Sequence, residues 1–120
     1  MWTYSQKSGE ISRDGVIVGV GYAGHGEGFN NPAMQEARGV GPIPRGRYTI
    51  GPAYTHDHLG PLTMNLEPDP ANEMFGRSLF RIHGRKSMVD KDASDGCIVQ
   101  DHTARAAVSD SLDRALEVTL

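Results

Sequence analysis

The chain has 120 residues, the size of one domain, which excludes a repeat array or a large multidomain enzyme. Its hydrophobic fraction is 38%, enough for a small core without disulfides or a structural metal. Lys+Arg 12 against Asp+Glu 15 give a net charge of -3, and with the signs mixed along the chain this leaves no basic footprint for nucleic acid and no polybasic stripe for membrane insertion.

Gly 15 and Pro 7 imply many turns and short strands rather than a helical bundle. The opening reads as a β-meander: Trp2 to Gln6, a turn at Lys7-Ser8-Gly9, Glu10 to Arg13, the hairpin signal Asp14-Gly15, then the β-branched run Val16 to Val20. Trp2 reads as a core or cap aromatic rather than a ligand platform. From Gly21 to Gly41 the composition shifts to a long surface excursion, in which Pro32 to Ala37 allows only a turn or two of helix. A segment that long is either a functional loop or a solvated connector.

Strand signals return at Arg47 to Ile50, at Leu62 to Leu66 with alternating Leu62, Met64 and Leu66, and at Leu79 to Ile82. One helix is expected, N-capped by Asp101 and running through Val108 with Ala104, Ala107 and Val108 on one face; a strand from Leu116 to Leu120 follows. The expected fold is mainly β (α+β), a single domain over 1–120 with one short C-terminal helix. The N-terminus lacks the charged start and the apolar stretch of 7–15 residues that make a secretory signal, and nothing later approaches the roughly 18 apolar residues of a membrane span. A soluble chain is expected.

The chemistry-bearing stretch is Phe80-Arg81-Ile82-His83-Gly84, a polar loop from Arg85 to Ala93, then Ser94-Asp95-Gly96-Cys97-Ile98-Val99. Cys97 is the single cysteine, so an intramolecular disulfide and a cysteine-rich zinc cage are excluded. An intervening loop can fold His83 back beside the Cys97 thiol, the base and nucleophile that cysteine acyl transfer needs. A free thiol titrates near ~8.5, and a neighbouring imidazole is expected to raise its thiolate fraction. Gly96 permits a tight turn that aims the Gly96 and Cys97 amides at a developing oxyanion, and Ser94 braces that turn. Against this stands the base rate: a lone Cys before Ile-Val is by default a core residue. The flanking loop formers Ser94, Asp95 and Gly96 favour the site.

His83-Gly84 followed by Ser94-Asp95-Gly96-Cys97-Ile98 resembles the motif of the L,D-transpeptidases, β-rich enzymes of bacterial peptidoglycan whose pattern is His-Gly, a spacer, and Ser/Thr-His-Gly-Cys. It is more similar to a subgroup of small transpeptidase-like toxins delivered by type VI secretion, where the pattern relaxes to Ser-any-Gly-Cys-Ile. Gly41-Pro42-Ile43-Pro44-Arg45-Gly46-Arg47-Tyr48, Gly21-Tyr22-Ala23-Gly24-His25-Gly26 and Asn30-Asn31-Pro32 resemble further segments of that subgroup, so the resemblance covers nearly the whole chain.

The resemblance implies attack by Cys97 on the amide between the third residue of a peptidoglycan stem peptide, a diamino acid linked through its L-centre, and the fourth, D-alanine. His83 would be the base, with Gly84, Ser94, Asp95 and Gly96 supporting the site and Arg81, His25 and Arg45 as substrate contacts. The acyl-enzyme would pass to water or to a D-amino acid acceptor, giving L,D-carboxypeptidase or exchange activity without cofactor or metal. Asp95 stands where ordinary L,D-transpeptidases carry histidine, and the spacer is shorter, which favours trimming or exchange over cross-linking. The resemblance further implies an antibacterial effector secreted without a signal peptide, acting in the periplasm of target bacteria and matched by a cognate immunity protein.

Two other readings stay open: a non-catalytic wall-binding module with a structural Cys97, and a zinc-dependent amidase. The second rests on His56-Asp57-His58, since His-x-His on a strand puts both imidazoles on one face. Loop formers surround that pair, and no third ligand has a recognisable spacing. Gly24-His25-Gly26-Glu27-Gly28 lacks the Lys-Ser/Thr and the following helix of a phosphate loop.

Overall fold

Alternation along the first strand sets the pattern for the whole molecule. In β1 (Trp2–Ser5) Trp2 and Tyr4 are buried while Thr3 and Ser5 are partly exposed, the period of two that a strand with one buried face requires. The computed structural model describes residues 1–85 and 94–120; apart from Arg85, the polar loop expected over 85–93 lies outside the described residues.

The expected meander forms as β1, β2 (Glu10–Arg13) and β3 (Val16–Val20). Asp14 and Gly15, both at positive φ, make the hairpin turn. After β4 (Tyr22–Ala23) and two 3-10 turns at Gly26–Gly28 and Pro32–Met34 come β5 (Gly46–Ile50), β6 (Tyr54–His56), β7 (Gly60–Pro68), β8 (Phe80–His83) and β9 (Ile98–Val99), then α1 (His102–Asp110) and β10 (Ala115–Thr119). The sheet order is β3-β2-β1-β10-β5-β7-β8-β9-β4, with β6 added on β7. Pairing is antiparallel except for β1 with β10 and β8 with β9. The terminal strands of this path, β3 and β4, follow each other in sequence through Gly21, so the sheet curls until its ends meet; the Gly21 N–H donates to the Gly9 carbonyl at 2.8 Å.

Inside the curl lie Tyr4, Ile11, Ile43, Met64, Ile82, Ile98 and Leu116. The helix packs on β3 and β7, contributing Ala104 and Val108 to the core, and the Asp101 carboxylate caps it by accepting from the Ala104 N–H at 2.8 Å. Among the described residues no helix is long and apolar enough to cross a membrane. The fold is mainly β with one short helix near the C-terminus.

Three elements differ from the sequence reading. β4 is two residues long, too short to carry any periodicity. β6 has no buried residue, so no apolar alternation announces it. Where the sequence allows a turn or two of helix from Pro32, a 3-10 turn forms at Pro32–Met34 rather than α-helix, capped by the Asn31 side chain, which accepts from the Ala33 N–H at 3.1 Å.

Candidate active site

The register of the last parallel pair positions the candidate residues. Ile82 lies beside Ile98 and His83 beside Val99. Ile82 and Ile98 both point into the core, so their neighbours along each strand, Arg81 and His83 on β8 and Cys97 just before β9, turn to the opposite face. On β7, Asn65 pairs with Arg81 and shares that face. A cavity of about 500 Å³ opens here, and Cys97, His83, Arg81, Asp95, Arg77 and Arg38 are among the residues that line it.

His83 is 3% exposed. Its Nδ1 lies 2.8 Å from the Gly84 carbonyl oxygen, and since a carbonyl can only accept, Nδ1 carries the proton and Nε2 keeps its lone pair. Burial pulls the imidazole pKa below its ordinary value, outweighing the Gly84 bond; the cations Arg105 and Arg81 push the same way as burial. Burial pushes the Cys97 thiol up, against the lowering influence of the Arg81 backbone amide and of the Arg81 and Arg77 charges, and Asp95 adds to the rise. Both shifts favour the uncharged forms, thiol and imidazole. Both directions run against a preformed thiolate–imidazolium pair, so the thiolate enrichment expected from His83 has burial to overcome.

Ser94 organises the cysteine turn. Its hydroxyl is fully buried, donates to the Cys97 carbonyl at 2.6 Å, and accepts from the N–H groups of Gly96 and Gly24, both at 3.1 Å. The Gly96 amide is thus engaged within the turn. Of the two amides expected to face an oxyanion, the Cys97 N–H is the candidate. Gly96 holds φ +129°, and a Cβ there would sit 2.5 Å from Arg77 Nη2 and 2.9 Å from the Gly41 oxygen. Gly96→Ala is accordingly expected to cost roughly 2–4 kcal/mol through strain and overpacking, lowering the melting temperature by on the order of 10 °C. Thermal denaturation followed by circular dichroism checks this; a wild-type melting point would show that the turn can yield.

Beneath the turn lies the segment Gly41 to Pro44. Pro42, Ile43 and Pro44 are fully buried, and the Ile43 N–H donates to the Gly96 carbonyl at 2.9 Å. The resemblance motif thus forms the floor on which the cysteine turn rests. Arg45 is not among the residues lining the cavity: its Nη1 donates to Gln6 Oε1 at 3.0 Å, and buried Gln6 in turn donates to the Ile43 carbonyl at 2.9 Å. Arg45 braces the floor. His25 lies behind the turn, its Nδ1–H donating to the Ser94 carbonyl at 2.9 Å. Asp95 is exposed at the rim. Gly84 is buried against Arg105, whose Nη2 a Cβ would meet at 2.6 Å.

Several site residues escape the sequence reading. Arg38 lines the cavity and donates to the Gly76 carbonyl at 3.0 Å. Arg81 Nε donates to both Tyr54 Oη and Asn65 Oδ1 at 3.2 Å, and only the strand pairing of β6, β7 and β8 reveals those partners. Arg77 and Arg105, 6% and 8% exposed, are held by backbone carbonyls, which leave no pattern in the sequence. His56 Nδ1 accepts the N–H groups of His58 and Leu59 at 3.0 and 3.2 Å, so one ring nitrogen of the His-x-His pair is occupied in its own turn. Among the described residues no group of three His, Cys, Asp or Glu side chains is placed to hold a metal ion.

No curated protein and no solved structure gives a significant match to the chain. The family model of the Tlde1 domain matches residues 19–119, a span that includes both strands of the cavity wall and the whole cysteine turn. The chain belongs to the Tlde1 domain family, the type VI secretion L,D-transpeptidase effectors.

Proposed function

We propose that the protein is a cysteine-dependent L,D-carboxypeptidase and D-amino-acid exchange enzyme acting on tetrapeptide stems of peptidoglycan. The observation that carries this reading is the register of β8 and β9, which turns Cys97 and His83 to one face around one cavity. His83 Nε2 takes the thiol proton as Sγ attacks the carbonyl carbon of the third residue. The imidazolium returns that proton to the leaving amine of the fourth, leaving a thioester. Water or the amine of a D-amino acid then attacks the thioester, gives its proton to Nε2, and the thiol is restored. The Cys97 N–H is the oxyanion donor.

The leaving D-residue carries a free carboxylate, and the cavity wall supplies cations to meet it. The ion pairs found among the described residues join Met1 and Arg13 to Asp113, and none involves an arginine of the cavity. Arg38 and Arg81 have guanidinium N–H groups beyond those bonded to Gly76, Tyr54 and Asn65. They replace Arg45 as the carboxylate contacts of this reading. A fifth stem residue would move the charge away and leave an arginine unmatched, costing roughly 1–3 kcal/mol, or about ten- to hundredfold in rate.

The expected result with purified muropeptides is loss of tetrapeptide, with tripeptide or, when D-methionine is added, D-methionine-capped product, and pentapeptide largely untouched. Mass analysis of wild type beside Cys97→Ala tests it. Equal processing of pentapeptide, glycan-strand cleavage, or loss of activity on chelation with rescue by zinc would overturn the assignment. As an effector the enzyme would be delivered into target cells and work in their periplasm, and the producer would need an immunity protein that plugs the cavity around Cys97.

A further inference from the structure

We propose that Arg77 is a positioning residue for the nucleophile, clamping the Asp95-Gly96-Cys97 turn to the Gly41-Pro42 floor and setting a fixed cation beside the sulfur. The proposal rests on the reading of Cys97 as the attacking group. Arg77 Nη1 donates to the carbonyls of Gln35 and Pro42 at 2.6 and 2.8 Å. Its Nη2 donates to those of Gly41 and Asp95 at 2.8 and 3.1 Å. The guanidinium lies over the Phe80 ring at 5.1 Å, the ring whose edge a Cβ on Gly96 would meet at 2.9 Å.

A buried cation whose hydrogen-bond partners are neutral carbonyls is an expensive choice if bracing were its whole purpose, since burial disfavours the charge. Carbonyl dipoles offset part of that cost, and among the described residues no carboxylate is a hydrogen-bond partner that cancels the charge. The positive potential is therefore available to whatever anion appears in the cavity that Arg77 and Cys97 both line. That anion is the sulfur as it loses its proton, or the oxyanion that follows. Lysine cannot reproduce the arrangement, because its ammonium lacks a planar fork able to reach four carbonyls on two sides of the turn. Among the described residues, the charged and titratable groups facing the thiol are His83 and Arg81 from β8, Asp95 from the turn, Arg77 and Arg38; of these, Arg77 alone is bonded to the turn through its guanidinium.

The test uses the whole chain and two variants, Arg77→Met and Arg77→Lys, each read by thermal melting, by the pH profile of Cys97 alkylation with iodoacetamide, and by kcat and KM on tetrapeptide. For Arg77→Met the alkylation profile is expected to move to higher pH, slowing the reaction about tenfold at pH 7 to 8, the size of effect a nearby cation exerts on a thiol. For Arg77→Lys, which keeps a charge but loses the fork, kcat is expected to fall about tenfold with KM changed less than twofold. A wild-type alkylation profile in Arg77→Met, or wild-type kcat in Arg77→Lys, would overturn the proposal, even with a lowered melting temperature. Should Arg77→Met fail to fold, the kcat of Arg77→Lys decides. Alkylation needs no muropeptide, so its result for Arg77 stands even if the peptidoglycan reading fails.

Discussion

Cys97→Ala is expected to remove turnover, by at least about 10⁴-fold, while leaving the melting temperature within a few degrees of wild type. The first half follows from chemistry: without sulfur there is no thioester, and the remaining donors and binding contacts supply only a small residual rate. The second half follows from position. Cys97 is partly exposed at a turn-to-strand junction, and its Sγ makes a long approach of 3.9 Å to the Leu79 carbonyl beside the Arg81 backbone amide. The turn itself is held by Ser94, Arg77 and Ile43 through main-chain atoms, which alanine leaves untouched. Deleting one sulfur atom there should cost less than about 1 kcal/mol. Muropeptide turnover and thermal melting, measured on one preparation, decide between the readings. An inactive and strongly destabilised variant would make Cys97 a packing residue and favour the non-catalytic alternative.

His83→Gln should lower kcat by about 10²- to 10⁴-fold, the usual contribution of a positioned general base, and it should also change the shape of the pH profile. In wild type the rate needs a neutral imidazole. Because burial lowers the His83 pKa, activity should persist below pH 6.5 and fall only as pH drops through that lowered value. In the variant this acid limb should vanish, and the small remaining rate should climb with pH toward the raised pKa of the thiol. A glutamine profile that keeps the wild-type acid limb would take the base role away from His83. Stability gives a matching signature. Below pH 6.5 the unfolded chain binds a proton that the folded imidazole refuses, so His83 costs stability as pH falls from about 6.5 to its lowered folded value, and no more beneath it.

How far the chain discloses its own site depends on how local each interaction is. The hairpin at Asp14-Gly15, the Asp101 cap and the alternation of Trp2 and Tyr4 are local, and they read directly. His83 and Cys97 stand out as candidates because few residue types do nucleophilic chemistry, and here loop formers flank them. Arg81 sharing a face with His83 follows from the period of a strand. The partners of Arg77 cannot be read the same way: four carbonyls from Gln35, Gly41, Pro42 and Asp95 have no side-chain identity and lie on three separated segments. Arg45 misleads for the converse reason. An arginine beside a motif invites a ligand role, yet Gln6, distant in sequence and buried, captures it. The thiol's ionisation also lies beyond sequence, since it depends on how much water the neighbours exclude.

The parallel pairing of β1 with β10 has a bearing on how the protein acquires activity at all. Trp2 lies beside Leu116 and Ser5 beside Thr119, so the first and last strands of the domain lie side by side within the sheet rather than at its margins. Joining them closes a loop on the order of 100 residues, an entropic cost of roughly 4 kcal/mol that no nearby contact offsets in advance. Such a topology folds slowly and as one cooperative event. The cavity wall includes β8, which joins β10 through β7 and β5, so a chain in which β1 and β10 have not paired holds Cys97 but not the completed sheet behind the cavity. Late closure is therefore a built-in delay between synthesis of the cavity residues and their assembly.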